Sequence, residues 1–189
     1  AKAATLISVA VFLALWLAAV FAALATGFYT ATGFPQTAFF LGVAIPIGLV
    51  YAAQSFWRPL GAAIAAIPTS AFLSLQQMRV AFGILFFFTS ALPVWFQYIG
   101  GLGDIAAGLG AFLALRQYRQ RPDRERQAII QGNLIGILDF IVVLNLGLFV
   151  VLSDQSPDIM FDLIPLYVVP LFICLHIFSL QRLGRVSAP

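Results

Sequence analysis

Charge is what this sequence lacks. Only 9% of its 189 residues are charged, against 62% that are hydrophobic, whereas water-soluble domains carry about a quarter charged residues. Between Lys2 and Arg58 there is no charged side chain at all. That excludes an ordinary soluble fold and marks an integral membrane protein. A single cysteine, Cys174, excludes an internal disulfide framework and thiolate metal cages. A single histidine, His176, excludes bis-histidine haem ligation within one chain and leaves little general acid–base chemistry beyond the aspartates. No nucleophile–base pair with a helper, metal-ligand motif or phosphate-binding loop is present, so nothing points to an enzyme. The apolar runs are continuous and do not alternate, which excludes a β-barrel.

What is present is length and apolarity in the right units. A spanning helix needs roughly 20 apolar residues, and six stretches meet that need: about 5–28, 37–57, 69–92, 94–115, 127–152 and 163–180. The first has Lys2 ahead of it, but its apolar run is too long for a signal peptide, so it reads as a retained helix. "RPLGAAIAAIP" (58–68) is short and bounded by prolines, which suits the membrane interface. The expected fold class is all-α: a polytopic bundle of six transmembrane helices forming one domain over 1–189. In "GGLGD" (100–104), Gly100, Gly101 and Gly103 precede an aspartate. They predict a broken or kinked fourth span, whose freed backbone groups can coordinate an ion or substrate. The blander reading is a bend packed against a neighbour.

Six spans place alternate loops on opposite sides of the membrane. Lys2, Arg58, Arg116, Arg119, Arg121, Arg124, Arg126, Arg182 and Arg185 then share one side, while the opposite loops carry only Asp154, Asp158 and Asp162. By the positive-inside rule both termini are cytoplasmic. The loop "RQYRQRPDRER" is a topology anchor on this reading, with anionic lipid as the lesser alternative and no nucleic-acid partner.

The one basic residue outside this pattern is Arg79, inside "LSLQQMRVAFGILFFF" (73–88). It lies about eleven residues into its span, roughly 16 Å into a core about 30 Å thick. Asp104 and Asp139 count to the same depth on two other spans. An ionised group at the bilayer centre costs at least about 2.5–3.5 kcal/mol, so Arg79 is expected to pair with one aspartate or both. One guanidinium facing two carboxyls leaves an excess negative charge, which a retained proton offsets. The candidate ligand or proton site is Arg79, Asp104 and Asp139, walled by Gln76 and Ser90, with Gln97 nearer a mouth on the non-cytoplasmic side. A purely structural clasp fits the same residues. Gly132 and Gly136 share a face with Asp139 and let helices approach closely, while Asn133 and Asn145 are expected to face elsewhere. His176 is a candidate proton relay or haem ligand, or a hydrogen-bonded packing histidine. No metal site is expected.

"QQMRVAFGILF", "ALPVWFQYIGGLGDIAAGLGAF", "NLIGILDF" and "VVPLFICLHIFSLQRL" together resemble a family of uncharacterised bacterial multi-pass membrane proteins. Its members join an arginine-bearing span to an "LP…GLGD" segment, an "N…G…LD" span and a final "P…LH…L" span. The resemblance covers about residues 70–185. It implies a bacterial inner-membrane location and points to Arg79, Gly103, Asp104, Asn133, Asp139 and His176. Three functional expectations follow. The first is a midplane Arg–Asp site that binds or passes a small solute or proton. The second is an accessory subunit of a larger respiratory or photosynthetic complex, or a homo-oligomer. The third is a haem or quinone redox protein resting on His176.

Overall fold

The computed structural model describes residues 2–31, 34–89, 92–152 and 163–184. All regular structure among them is helical. The long helices are α1 (Lys2–Ala25), α2 (Pro35–Phe56), α6 (Val94–Gln120) and α7 (Glu125–Leu152). Shorter ones are α3 (Arg58–Ala66), α4 (Thr69–Gln76), α5 (Arg79–Phe86) and α8 (Val169–Gln181). Five stretches are long and apolar enough to cross a membrane, and a sixth is reached only if Arg58–Ala66 and Thr69–Phe86 are taken together as one bent span.

One expectation about helix continuity is corrected. The fourth apolar stretch is one unbroken helix from Val94 to Gln120, with Gly100, Gly101 and Gly103 inside it. The interruption lies in the third stretch instead, where α4 ends at Gln76 and α5 begins at Arg79. The connecting turn tightens to i→i−3 bonding, with Gln77 N donating to Ser74 O at 3.2 Å and Met78 N to Leu75 O at 3.1 Å. Pro46 is accommodated within α2 without ending it. Before α8, Ile164–Val168 forms a widened π turn. There Pro170 lacks an N–H, and its ring would crowd the carbonyl one ordinary turn back. Opening that turn relieves the crowding.

The chain divides into two compact units, Ala1–Ala66 with Val150–Cys174 and Ile67–Phe149 with Leu175–Pro189. The dividing point falls inside α8. In the first unit Trp16 stacks against Tyr167 with ring centroids 4.8 Å apart, and the Tyr167 hydroxyl donates to Leu13 O at 3.2 Å. α1 turns into the single helical turn Phe28–Ala31 at Gly27, whose φ of 67° is the left-handed conformation that favours glycine.

The second unit is held by glycines that let helices touch. A Cβ on Gly83 of α5 would stand 2.5 Å from Gly101 O of α6, and one on Gly101 would stand 2.9 Å from Gly83 O. Two helices approach this closely only where neither has a side chain at the crossing. At one end of the unit Leu73, Ala114, Leu115 and Ala128 form a dry core with Tyr118 against it. There Thr69 Oγ1 donates to Glu125, and Arg182 Nη1 donates to Ile67 O.

Candidate functional site: a buried arginine between two aspartates

Arg79 opens α5 immediately after the tightened turn, and only 1% of the residue is exposed. Its guanidinium is engaged on every edge. Nε donates to Asp104 Oδ1 of α6 at 2.7 Å, Nη2 donates to Asp139 Oδ2 of α7, and Nη1 donates to Gly136 O at 3.1 Å. The plane lies over the Phe140 ring, with Cζ 3.9 Å from its centroid. A delocalised, planar cation suits this role, because one group can hold two carboxylates and stack on an aromatic at once. Arg79 therefore pairs with both aspartates.

Glycine at 103 makes that pairing possible. A Cβ there would collide with Asp139 Oδ1, so the absence of a side chain on α6 leaves room for the carboxylate of α7. The glycines ahead of Asp104 thus serve close approach, not a helix break. Asp104 is the more open of the two acids, with 15% of its side chain exposed against 7% for Asp139.

A second polar layer adjoins the first. Asn133, expected to face elsewhere, is the centre of it. Its Nδ2 donates to Ile129 O at 2.6 Å and to Ser179 Oγ at 2.9 Å. Its Oδ1 accepts from Gln76 Nε2 at 3.2 Å and lies 2.7 Å from His176 Nδ1. Five helices therefore contribute to one buried polar core, four of them being α4 with Gln76, α5 with Arg79, α6 with Asp104, and α7 with Asn133 and Asp139. His176 and Ser179 of α8 complete it. The layers share Phe140, whose ring meets His176 edge-on at 5.6 Å while its face carries Arg79.

The remaining candidates fall outside this core. Gln97 donates to Leu92 O at 2.7 Å, bracing the start of α6. Asn145 donates to Ile141 O of its own helix. Ser90 lies outside the described residues.

A family model for a domain of unknown function (DUF8737) matches residues 34–184. The chain belongs to this family. No curated protein and no solved structure matches it significantly. The matched stretch of this DUF8737 chain contains every residue of the polar core, from Gln76 to Ser179.

The haem expectation meets a steric test in the same core. His176 Nδ1 is taken by Asn133, leaving only Nε2 to face an iron. Nε2 lies against Gly136, where even a Cβ atom would stand 2.7 Å away. A porphyrin needs space beside the ligating nitrogen, and on this side Gly136 occupies it. Among the described residues no group of three His, Cys, Asp or Glu side chains is placed to hold a metal ion.

Proposed function

We propose that the chain is an integral membrane protein whose Arg79–Asp104–Asp139 cluster binds or passes a proton or a small solute. The reading rests on one observation, a buried guanidinium held by carboxylates from two separate helices. A clasp between helices needs only one carboxylate per guanidinium. The second adds a negative charge that a proton or a cationic guest must offset in a low-dielectric interior. Asp104, the partly exposed acid, is the entry point.

The chain crosses the membrane six times on this proposal, with both termini and the Arg116–Arg126 loop on the cytoplasmic side of a bacterial inner membrane. Segregation of every basic residue but Arg79 supports the orientation. The test is proton flux. Protein reconstituted in liposomes should collapse an imposed pH gradient, and Asp104→Asn should abolish that activity. Wild-type liposomes no leakier than protein-free ones, for protons and for small organic cations alike, would remove the transport reading.

The second reading is an accessory subunit of a larger membrane complex. Leu6, Ile7, Leu15 and Phe21 are exposed along α1, a surface that suits a partner helix as well as lipid. Recovery of the chain only within a larger native particle would favour it.

A further inference from the structure

His176 holds a feature that the Arg–Asp pairing does not use. It is 3% exposed, and its Nε2 has no hydrogen-bond partner among the described residues. Its tautomer is fixed by its neighbours. Asn133 turns both amide hydrogens toward Ile129 O and Ser179 Oγ, so its Oδ1 faces His176 as a pure acceptor and Nδ1 must carry the proton. Nε2 is then a bare lone pair in a buried site, a costly arrangement unless something uses it. It lies beside the charge cluster. A Cβ on Gly136 would be 2.7 Å from His176 Nε2 and 2.8 Å from Arg79 Nη1, so both nitrogens flank one point.

We infer that His176 Nε2 is the proton-binding partner of the carboxyl pair, so that Arg79, His176, Asp104 and Asp139 form a quartet sharing one mobile proton. The inference rests on the functional reading above and names the site that completes it. The charge count carries it. Arg79 with two carboxylates sums to one negative charge, and a proton on Nε2 brings the sum to zero. In the transfer an O–H bond of a carboxyl breaks and an N–H bond forms at Nε2. The net charge is unchanged, and the new carboxylate remains paired with Arg79. The charged group beside His176 is Arg79 from α5, and the carboxylates of Asp139 from α7 and Asp104 from α6 are held by that same guanidinium. Just past the end of its own helix, Arg182 is about 9 Å along the axis and is engaged with Ile67 O. Cys174, two residues away, points to another face. Arg79 opposes a second cation, and the quartet requires the two carboxylates it holds to offset that opposition.

His176 is the chain's only histidine, so ¹⁵N imidazole spectra of the labelled protein in detergent report this site alone. Lowering the pH should convert Nε2 from bare to protonated in the wild type. The conversion should be lost over the same range in Asp139→Asn and in Asp104→Asn, either of which removes the excess charge. A conversion identical in the wild type and in whichever variant folds, or no conversion in any of them, overturns the quartet. Should neither folded variant be obtained, His176→Gln decides. Its infrared band for a protonated carboxyl should be stronger than wild type at neutral pH, because the proton has lost its alternative seat, and an unchanged band overturns the inference. These are equilibrium measurements. A protein that fails the liposome test can still show the quartet, and one that passes can still lack it.

Discussion

Replacing Arg79 with methionine keeps much of the side-chain volume and removes only the cation, which makes the cost calculable. Arg79 is the charge that lets one carboxylate of the cluster stay ionised while buried. Without it the cluster must take up one further proton. Protonating an aspartate with a reference pKa of about 3.9 costs about 1.36 kcal/mol per pH unit, hence about 4 kcal/mol at pH 7 and about 1.5 kcal/mol at pH 5. The first figure falls within the 3–5 kcal/mol typical of breaking a buried pair from one side. The sign is set by proton uptake: the variant is least stable at high pH and recovers as pH falls toward 4. At about 2–4 °C per kcal/mol for a chain of this size, the thermal midpoint should drop by about 8–16 °C at pH 7 and about 3–6 °C at pH 5. Arg79→Met combined with Asp139→Asn needs no more protons than wild type, so most of the loss at pH 7 should return. The three tryptophans allow unfolding in detergent to be followed by intrinsic fluorescence. Equal losses in the single and double variants at both pH values would show that Arg79 acts through packing, and the charge argument would fail.

Gly103→Ala should damage the same pair without touching a charge, because its Cβ enters the space of Asp139 Oδ1. A loss of about 3–5 kcal/mol is expected if the carboxylate is driven off Arg79, whereas Gly48→Ala, whose Cβ meets nothing within 4 Å, should be neutral or slightly stabilising. Similar midpoints for the two variants would refute the close-approach role. For topology, Arg121→Cys and Ser156→Cys, each made in a Cys174→Ala background, should differ in sealed cells. An impermeant thiol reagent should label only position 156, and labelling at 121 would overturn the six-span orientation.

The pairing of Arg79 was legible because an arginine in an apolar run is costly, and because helical rise converts residue counts into depth. Membership of the second layer was not. Asn133 lies about 100° round the helix from Gly132, so a search for a single polar seam on α7 sets it aside. α7 in fact uses a broader face, on which Asn133 meets Gln76 and His176 while Gly136 and Asp139 meet Arg79. The glycines of "GGLGD" carry the opposite lesson. Local propensity reads them as a break, yet Gly101 and Gly103 are explained only by what stands opposite them, Gly83 O and the carboxylate of Asp139. Partner identity is long-range information that no window of sequence contains.

The break that does exist, between α4 and α5, has no local cause: "LSLQQMRV" contains neither proline nor glycine. The polar core supplies one. In a regular helix, residues three apart are rotated by 300°, so Gln76 and Arg79 would diverge by about 60°. In a turn with i→i−3 bonding, side chains three apart eclipse. Gln77 at φ −65°, ψ −22° and Met78 at φ −58°, ψ −21° have the dihedrals of such a turn. The tightening brings Gln76 and Arg79 into line, so that one reaches Asn133 while the other reaches Gly136 and Asp139 on the same helix. Gly108 of α6 completes the fit, since a Cβ there would stand 2.8 Å from Val80 N and 3.2 Å from Gln77 O. Tightening the turn weakens hydrogen-bond geometry over a few residues. Leaving a guanidinium and an amide unpaired in an apolar interior would cost more than that. Buried polar demand has overridden helix propensity here.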